Sequence, residues 1–371
     1  MKRVHKKGET IEVKKHRALK IIGGLLGAVV VVLGGYIAYL YAAYYRLPDN
    51  LKLRPQHNQA GAVQVGKTYR AQSYNIGYDS YPPSYSFFMD GGKYSRAYSK
   101  KAVQDSLAGV IKTTRQGDPD FAFFQEVDQD GDRSQHVDEV AGLRRAFGQQ
   151  YSSVYGQNYD SPYLFYPFNQ PIGAAKSGLV TLTKFKVTGA RRYSLPIATN
   201  PTKFTDLDRA FTVTQAPTSN GKHLQLVNIH MSAFTKDRSI QQAQFAKLFK
   251  YINQAYQKGD YVIVGGDYNH RLLKDSAAIF HTKPQDETWT HLFPYDQLPA
   301  GFHVPTMGLA KAAQPSVRAL DKPWEPGKSF VTLIDGFILS PNVKAKSVKI
   351  VDTGFKYSDH TPTRMEFELE P

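Results

Sequence analysis

The first pattern along the chain is a run of 25 uncharged, mostly apolar residues from Ile21 to Tyr45, bounded by Lys20 and Arg46. As a helix this run would be about 37 Å long, which is enough to cross a hydrocarbon core of about 30 Å. Tyrosines crowd its C-terminal end, as they do where a helix leaves a membrane. The pattern predicts a single transmembrane helix over residues 21–45.

The charges on either side of this run predict its orientation. Residues 1–20 contain eight lysines and arginines against two glutamates, and basic flanks stay on the cytoplasmic side. We therefore expect residues 1–20 to be a cytoplasmic tail and the chain after Arg46 to lie outside the cell membrane. Two other interpretations stay open. One is a cleaved signal peptide, although its apolar region would be shorter and followed by small residues. The other is a buried helix of a globular core.

Beyond the run, residues 46–65 contain prolines, asparagines and a glycine without periodicity and are expected to form a tether. The main domain is expected over residues 66–371. In it, short apolar runs alternate with segments of helical spacing, which is typical of an α/β protein. The predicted strands are Thr68–Ile76, Phe121–Asp128, Leu224–His230, Tyr261–Val264, Thr332–Leu339, Ser347–Val351 and Thr363–Leu369. The predicted helices are Ser95–Thr114 and Asp237–Gln257, and the predicted ordered loops are Ser80–Gly92 and Ser161–Gly178.

Composition and charge narrow the class of protein. The chain has 371 residues, of which 41% are hydrophobic and 21% charged, as in ordinary globular proteins. It contains no cysteine, which excludes disulfides, thiolate metal sites and a cysteine nucleophile. The net charge is +15, and only part of it lies in the N-terminal tail. A basic main domain favours phosphate-bearing or other anionic partners.

Polar residues that could bind ligands or take part in catalysis follow the predicted strands, at the points where the strands end. Such positions give a side chain a rigid base at one edge of an α/β sheet, where ligands bind. Each position also has a simpler explanation, since Asp and Asn are common in turns and a single histidine is most often structural. Their joint occurrence favours a site. The residues are Asn75, Glu126, His230, Asp267, Asn269, Asp335, Asp359 and His360.

The motifs around these residues occur in a specific order: SYNIGY, QEVD, NIHMSAF, GGDYNH, LIDGFIL and YSDHTP. In this order they resemble the endonuclease/exonuclease/phosphatase superfamily, which includes deoxyribonuclease I-like nucleases and neutral sphingomyelinases. The resemblance spans residues 68–370. It implies a four-layer α/β/β/α sandwich of two mixed sheets, here preceded by the single N-terminal transmembrane helix. It also implies a membrane-anchored, bacterial-type member of the superfamily.

The resemblance, together with the chemistry of each side chain, implies roles for these residues. Glu126 would hold Mg²⁺, which prefers carboxylate oxygens, with Mn²⁺ as a substitute and with Asn75 and Asp359 in support. Catalysis would fall to Asp267, Asn269, His230, His360 and Asp335. Asp267 would orient or deprotonate the attacking water, Asn269 would position it, and His360, held by Asp335, would donate to a phosphoryl oxygen.

Several assignments stay open. Arg209 would contact phosphate or form a surface ion pair with Asp206 or Asp208, and Tyr159 would line the substrate cleft or serve packing alone. The sequence does not decide between one metal and two, or between Asp267 and the histidines as the base. It leaves the oligomeric state unknown.

Three classes of function follow. The first is a Mg²⁺-dependent phosphoesterase, single-pass in the cell membrane, whose substrate is nucleic acid or a phospholipid headgroup and whose helix contacts the lipid bilayer. The second is a binding protein for phosphate ligands that uses the same fold without catalysis. The third is an intracellular nuclease, which the uncharged helix disfavours.

Overall fold

The computed structural model describes residues 2–233, 238–283 and 291–371, with side chains from residue 14 onward. It divides into two compact units, one up to Tyr44 and one from Tyr45 to Pro371. We call the second unit the body.

The first unit is one helix, α1 (Lys2–Ala43). Its part from Lys14 to Ala43 is long and apolar enough to cross a membrane, and its apolar side chains, such as Leu25 and Val30, are exposed. The predicted N-terminal apolar helix is therefore confirmed, and a core helix of a globular domain is not what the structure contains. The basic segment expected as a separate tail is the beginning of the same helix.

Two mixed six-stranded sheets form the centre of the body. The first has the order β1-β6-β7-β8-β9-β12 and the second the order β13-β14-β2-β3-β5-β4, while β10 and β11 form a separate pair. The strands are β1 (Leu51–Lys52), β2 (Thr68–Asn75), β3 (Phe121–Gly131), β4 (Ser152–Asp160), β5 (Ala175–Thr183), β6 (Gly189–Ser194), β7 (Ala210–Pro217), β8 (His223–His230), β9 (Tyr261–Asp267), β10 (Val317–Arg318), β11 (Val331–Thr332), β12 (Asp335–Leu339), β13 (Val343–Ile350) and β14 (Thr363–Leu369).

Helices cover the outer faces of both sheets. Helix α4 packs its apolar face, with Phe245 and Leu248, on β8 and β9, whereas α2 and α3 pack on β2, β3 and β5 through residues such as Val110 and Leu143. The inner faces meet in a third core, to which Phe123 and Ile263 contribute. The predicted four-layer α/β/β/α sandwich is therefore confirmed. The helices are α2 (Lys100–Gly117), α3 (Glu139–Phe147), α4 (Arg238–Gln257) and the short α5 (Ser276–Ile279) and α6 (Leu309–Ala312).

Some element bounds differ from the sequence-based expectation. The helix expected from Ser95 begins at Lys100, because the Ser99 hydroxyl caps it by accepting from the Ala102 amide at 3.1 Å. The strand expected over Thr332–Leu339 is split, since Thr332 pairs with β10 and the residues from Asp335 onward pair with β9. Asp237, expected to begin α4, lies outside the described residues.

The last residues of the loop expected over Ser161–Gly178 belong to β5. Several elements were missed altogether, because their polar and apolar residues do not alternate cleanly or because the run is short. These elements are β1, β4, β5, β6, β7, β10, α3, α5 and α6.

The segment expected to be a tether, residues 46–65, is bound along the body. The Arg46 guanidinium donates to the carbonyl oxygen of Asp208 at 2.8 Å, β1 pairs with β6, and Val63 is fully buried in the core between the sheets. The segment lacks periodicity because it is held at separate points and, apart from β1, does not form a regular element.

Candidate active site

Strand β9 places Asp267 between two other predicted site residues in the first sheet. His230 lies directly across from Asp267 on the parallel neighbour β8, and Asp335 lies directly across on the antiparallel neighbour β12. The preceding Gly266 lets β8 and β9 approach closely, since a Cβ there would lie 2.1 Å from the Ile229 carbonyl oxygen. The three ionisable side chains therefore emerge side by side from a rigid sheet edge.

The second sheet supplies the opposite half of the site. Asn75 ends β2, Glu126 lies within β3, and Asp359 and His360 lie a few residues before β14. The two halves touch where the Asn75 amide donates to Asp267 Oδ2 at 3.0 Å. The two sheets thus bring residues far apart in the chain into one cluster at a shared edge.

Gly77 lets the loop after β2 pass close to Asp359. Its φ of +55° lies in the left-handed region, and a Cβ at this position would lie 2.7 Å from Asp359 Oδ1. Only glycine accepts both conditions without strain. The backbone at Gly77 also donates to Asn75 Oδ1 at 3.0 Å, so both polar atoms of that amide are engaged within the cluster.

His360 is held by Asp335 and faces Asp267. Its Nδ1 lies 2.8 Å from Asp335 Oδ2, and its Nε2 lies 3.8 Å from Asp267 Oδ2. The Ser316 hydroxyl donates to the same Asp335 oxygen at 2.7 Å. The imidazole is therefore oriented by one carboxylate so that its second nitrogen points toward the other.

His230 stands between Glu126 and Asp267. Its Nε2 lies 3.6 Å from Glu126 Oε1 and 3.6 Å from Asp267 Oδ2. Its Nδ1 is buried and has no hydrogen-bond partner within the described part of the chain. This histidine has no carboxylate to fix one nitrogen as Asp335 does for His360.

The two histidines have opposite pKa shifts. Burial lowers the pKa of His360, but the charges of Asp335 and Asp359 outweigh burial and raise it well above the ordinary value. Burial and the positive charge of Arg209 lower the pKa of His230 well below the ordinary value. At neutral pH the cluster therefore contains one cationic and one neutral imidazole.

The carboxylates hold protons more tightly than exposed acids do. Burial, then the charge of Asp359, raises the pKa of Glu126 to about 8. Burial, then the charge of Asp335, raises the pKa of Asp267 to about 7. Negative charge is thus concentrated beyond what the neighbouring cations offset, and a bound divalent cation would relieve this repulsion.

Two groups of side chains offer ligands for such a cation. Asp267, Asp335 and His360 each present a ligand atom within 4.8 Å of the others. Glu126 and Asp359 are the other pair, and their side chains are 16% and 11% exposed, against 2% for Asp267 and 1% for Asp335. The second pair is therefore the less buried of the two groups.

Asn269 and Arg209 converge on the backbone just beyond His230. The Asn269 amide and the Arg209 guanidinium each donate to the Met231 carbonyl oxygen at 2.8 Å. The Asn269 backbone also donates to Asp267 Oδ1 at 2.8 Å. Arg209 pairs with Asp206 at 3.0 Å although its own side chain is 4% exposed, so the ion pair considered from the sequence is a buried contact beside the cluster.

Three of the predicted residues have left-handed backbone conformations, with φ values of 54° at Glu126, 47° at Asn269 and 45° at Arg209. Glu126 also lies at an irregularity in the pairing of β3 with β5. Bulges and positive φ values of non-glycine residues concentrate at functional sites. The positive φ and the strand irregularity single out Glu126 among the residues of β3, whereas the sequence pattern around it does not.

Tyr159 lies beside Arg133. The Arg133 guanidinium is 5.4 Å from the Tyr159 ring centroid and 3.3 Å from the ring centroid of Tyr78. Tyr159 is almost entirely buried, and Arg133 is fixed by two hydrogen bonds to Asp128. The Tyr159 ring therefore packs beside a buried, hydrogen-bonded arginine.

Sequence reasoning missed several residues that orient the cluster. Ser316 lies in a loop without a motif, whereas Ser358 belongs to YSDHTP but received no role; its hydroxyl donates to Asp359 Oδ1 at 3.2 Å. The Gln125 amide donates across the core to Asn228 Oδ1 at 2.7 Å. The available signal for Gln125 was its place beside Glu126 in QEVD, and that for Ser358 was its place beside Asp359 in YSDHTP, while Ser316 had none.

Two face-to-face mixed sheets that present acids, amides and histidines at one edge define an α/β sandwich of the kind found in phosphoester hydrolases. The chain belongs to the endonuclease/exonuclease/phosphatase family, whose sequence profile matches residues 73–360. Members of this family generally hydrolyse phosphoester bonds and commonly depend on a divalent metal. A comparison with curated protein sequences gives no match.

Solved structures share this fold at low sequence identity. An endonuclease/exonuclease/phosphatase from Beutenbergia cavernae is 14% identical with a TM-score of 0.54, and the match covers 82% of this chain and 72% of that one. A family protein from Leptotrichia buccalis is 13% identical with a TM-score of 0.52, at 81% and 100% coverage. The human Nocturnin catalytic domain with bound sulfate is 16% identical with a TM-score of 0.50, at 85% and 97% coverage.

The opposite shifts of the two histidines lead to a prediction for Asp335→Asn. Removing the charge of Asp335 should lower the pKa of His360, so that His360 loses its proton at a lower pH than in the unchanged protein. NMR titration of the histidine ring signals measures this shift, with Asp352→Asn as the control because Asp352 is exposed. An unchanged His360 titration in Asp335→Asn would contradict the proposed pairing.

The same pairing predicts how stability depends on pH. Because the pKa of folded His360 lies above its unfolded value of about 6.5, its protonation stabilises the fold fully below that pH. This contribution is lost as the pH rises through the folded pKa. Asp335→Asn should weaken this pH dependence, which denaturant unfolding of the full chain at several pH values measures.

Proposed function

We propose that the protein is a Mg²⁺-dependent phosphoesterase that hydrolyses a phosphodiester or phosphomonoester by in-line attack of water. The observation that carries this proposal is the convergence of Glu126, His230, Asp267 and His360. The three contacts that link them are ion-pair distances of 3.6 to 3.8 Å at one sheet edge. Family membership supports the reaction class.

The metal fits best at Glu126 and Asp359. Both offer hard carboxylate oxygens, both keep access to solvent, and the raised pKa of Glu126 reflects the proximity of Asp359 after the effect of burial. Mg²⁺ retains several waters and is often held by one or two carboxylates. Bound there, the cation would supply neutralisation of phosphate charge, and Mn²⁺ has the same ligand preference.

We assign Asp267, Asp335 and His360 to proton transfer and hydrogen bonding, and not to binding of the metal. Asp335 Oδ2 and His360 Nδ1 already form a mutual 2.8 Å hydrogen bond, which orients the imidazole and occupies one possible ligand atom of each side chain. The cationic His360 is suited to donate to an oxygen that gains charge in the transition state. Asp335 is the residue that keeps this imidazole protonated and oriented.

Asp267 is our candidate for the group that orients or deprotonates water. Its Oδ1 accepts from the Asn269 backbone and its Oδ2 from Asn75, which fixes the carboxylate plane. A pKa of about 7 suits a base that works near neutral pH. The neutral His230, 3.6 Å from the same carboxylate, would accept or pass on a proton. Asn269 would position the water, and Arg209 and Tyr159 would contribute to the substrate cleft.

We propose nucleic acid or a phospholipid headgroup as the substrate class and a single-pass location in the cell membrane. The basic composition supports an anionic substrate, and the apolar helix α1 supports a membrane location. The basic N-terminal residues would stay in the cytoplasm and the body would lie outside. The alternative is a binding protein that holds phosphate ligands on this fold without turning them over.

The first test is turnover by the full-length protein and by Asp267→Ala. With Mg²⁺ the unchanged protein should hydrolyse at least one of bis(p-nitrophenyl) phosphate, plasmid DNA, sphingomyelin or phosphoinositides, and a chelator should stop the reaction. Asp267→Ala should lower the rate by about 100-fold or more. Asp296→Ala removes an exposed aspartate and should leave the rate unchanged. Full turnover by Asp267→Ala would contradict the assignment of Asp267 as the residue that orients or deprotonates the attacking water.

The second test is Mg²⁺ binding by Glu126→Gln. This change keeps the side-chain shape but removes the charge, so titration calorimetry should give an affinity at least about ten-fold weaker than that of the unchanged protein. Glu325→Gln, at an exposed glutamate, is the matched control. Equal affinity in Glu126→Gln would rule out Glu126 as a ligand. Mg²⁺ binding without turnover of any substrate would favour the binding-protein alternative.

The third test concerns orientation. Protease added to intact cells that carry the full-length protein should digest the body, because the proposal places it outside. A cytoplasmic protein in the same cells serves as the control for lysis. A body that stays intact until the cells are opened would place it inside and reverse the proposed topology.

A further inference from the structure

Two loops of the body carry an exposed apolar surface that no part of the proposed chemistry uses. Its members are Met89 in the loop between β2 and α2, and Phe165, Tyr166 and Phe168 in the loop between β4 and β5. Their exposed fractions are 52%, 49%, 64% and 84%. We call these four side chains the aromatic surface.

The exposure is concentrated and not scattered. Within the described part of residues 46–371, eight large hydrophobic side chains are exposed, and the two loops hold five of them: the aromatic surface and Tyr98. Single exposed hydrophobic residues are normal on any protein, whereas a cluster marks a contact surface.

The loops beneath the aromatic surface are fixed by polar contacts. The Ser95 backbone donates to Gln170 Oε1 at 2.9 Å, and the Ser95 hydroxyl donates to the Gln170 carbonyl oxygen. The Arg96 guanidinium donates to the Pro171 carbonyl oxygen and pairs with Asp132 at 3.2 Å. The apolar tip is therefore exposed on a braced support, which limits the conformational entropy lost on binding.

A row of ring contacts connects this tip to the candidate active site. The centroid separations are 5.9 Å for Phe168 and Tyr166, 5.9 Å for Tyr166 and Phe88, 5.2 Å for Phe88 and Phe87, 5.8 Å for Phe87 and Tyr81, and 6.1 Å for Tyr81 and Tyr78. Tyr78 stacks on Arg133, and Glu126 is close enough to influence the pKa of Tyr78 after the effects of burial and Arg133. The ring contacts thus extend from the aromatic surface to Tyr78, near Glu126 of the candidate site.

The charges around the aromatic surface indicate what it contacts. Lys93, Lys100 and Lys101 are exposed on the first loop and the start of α2. Asp90 is half-buried next to Met89, Lys101 pairs with Asp105 at 2.7 Å, and the chain has no charged residue between Ser161 and Ala175. An apolar tip with lysines beside it matches the interface of an anionic bilayer, where rings and methionine enter the acyl boundary and lysines meet headgroups. The same chain carries a helix that can cross a membrane.

We propose that the aromatic surface docks the body onto an anionic phospholipid bilayer. A single-stranded nucleic acid is the competing occupant, because bases stack on exposed rings. Lipid is favoured since Met89 has no aromatic face and the second loop has no cation to follow a phosphate backbone. The proposal does not depend on hydrolysis.

The full-length chain provides a direct test because it contains no cysteine. Met89→Cys, labelled with the polarity-sensitive fluorophore NBD, is placed in nanodiscs of phosphatidylcholine and phosphatidylglycerol. We expect a blue-shifted emission that doxyl-labelled lipids quench. The control is Gln254→Cys with the same label, at an exposed position of α4, which should be neither shifted nor quenched.

A second variant tests whether the other loop takes part. Tyr166→Ser with Phe168→Ser should lower the ratio of immersed to free Met89→Cys probe by about ten-fold, since two aromatic side chains no longer leave water. Met307→Ser, at an exposed apolar residue elsewhere, should leave the ratio unchanged. The proposal is overturned if the Met89 probe stays in water in nanodiscs. It is also overturned if the probe responds only to an added single-stranded oligonucleotide, which would assign the surface to nucleic acid.

Discussion

The confinement of four carboxylates in one small buried volume is the constraint on which the rest of the site depends. Glu126, Asp267, Asp335 and Asp359 lie around two histidines, and burial with mutual repulsion raises the pKa of Glu126 to about 8 and that of Asp267 to about 7. Unpaired charges are unstable away from water. The fold offsets them with the Ser316 hydroxyl, the Asn75 amide and one cationic imidazole, and a bound divalent cation would offset the remaining negative charge.

This confinement is possible only because two sheets share the task. One sheet supplies His230, Asp267 and Asp335 in register, and the other supplies the remaining acids, so neither sheet alone holds the whole charge. The polar contact from Gln125 to Asn228 crosses the same core and fixes the sheets relative to each other. The geometry of the site therefore depends on how the two sheets pack. Looser packing between the sheets would change the distances between the carboxylates.

The sequence predicted those features that depend on local patterns. Apolar runs located β2, β3, β8, β9 and β14, and polar residues at their ends located the cluster. It could not predict partners that depend on packing, such as Ser316 beneath Asp335, because a serine in a loop has no pattern of its own. Nor could it foresee that residues 46–65 lie along the body, since residues such as Arg46 and Val63 are held at separate points that leave no periodicity. The opposite protonation of His230 and His360 arises from their surroundings and not from their motifs.

The left-handed backbone conformations at Glu126, Asn269 and Arg209 destabilise the fold locally, and they accompany the geometry of the candidate site. Each such residue is less stable there than in an ordinary strand or helix conformation, by about 1 to 3 kcal/mol. At Glu126 the conformation coincides with an irregularity of β3. A regular strand would turn successive side chains to alternate faces, whereas this irregularity lets one strand direct Phe124 into the outer core and Glu126 toward His230. Because the strain lies in the backbone, the position of the Glu126 carboxylate depends on this conformation as well as on the side chain itself.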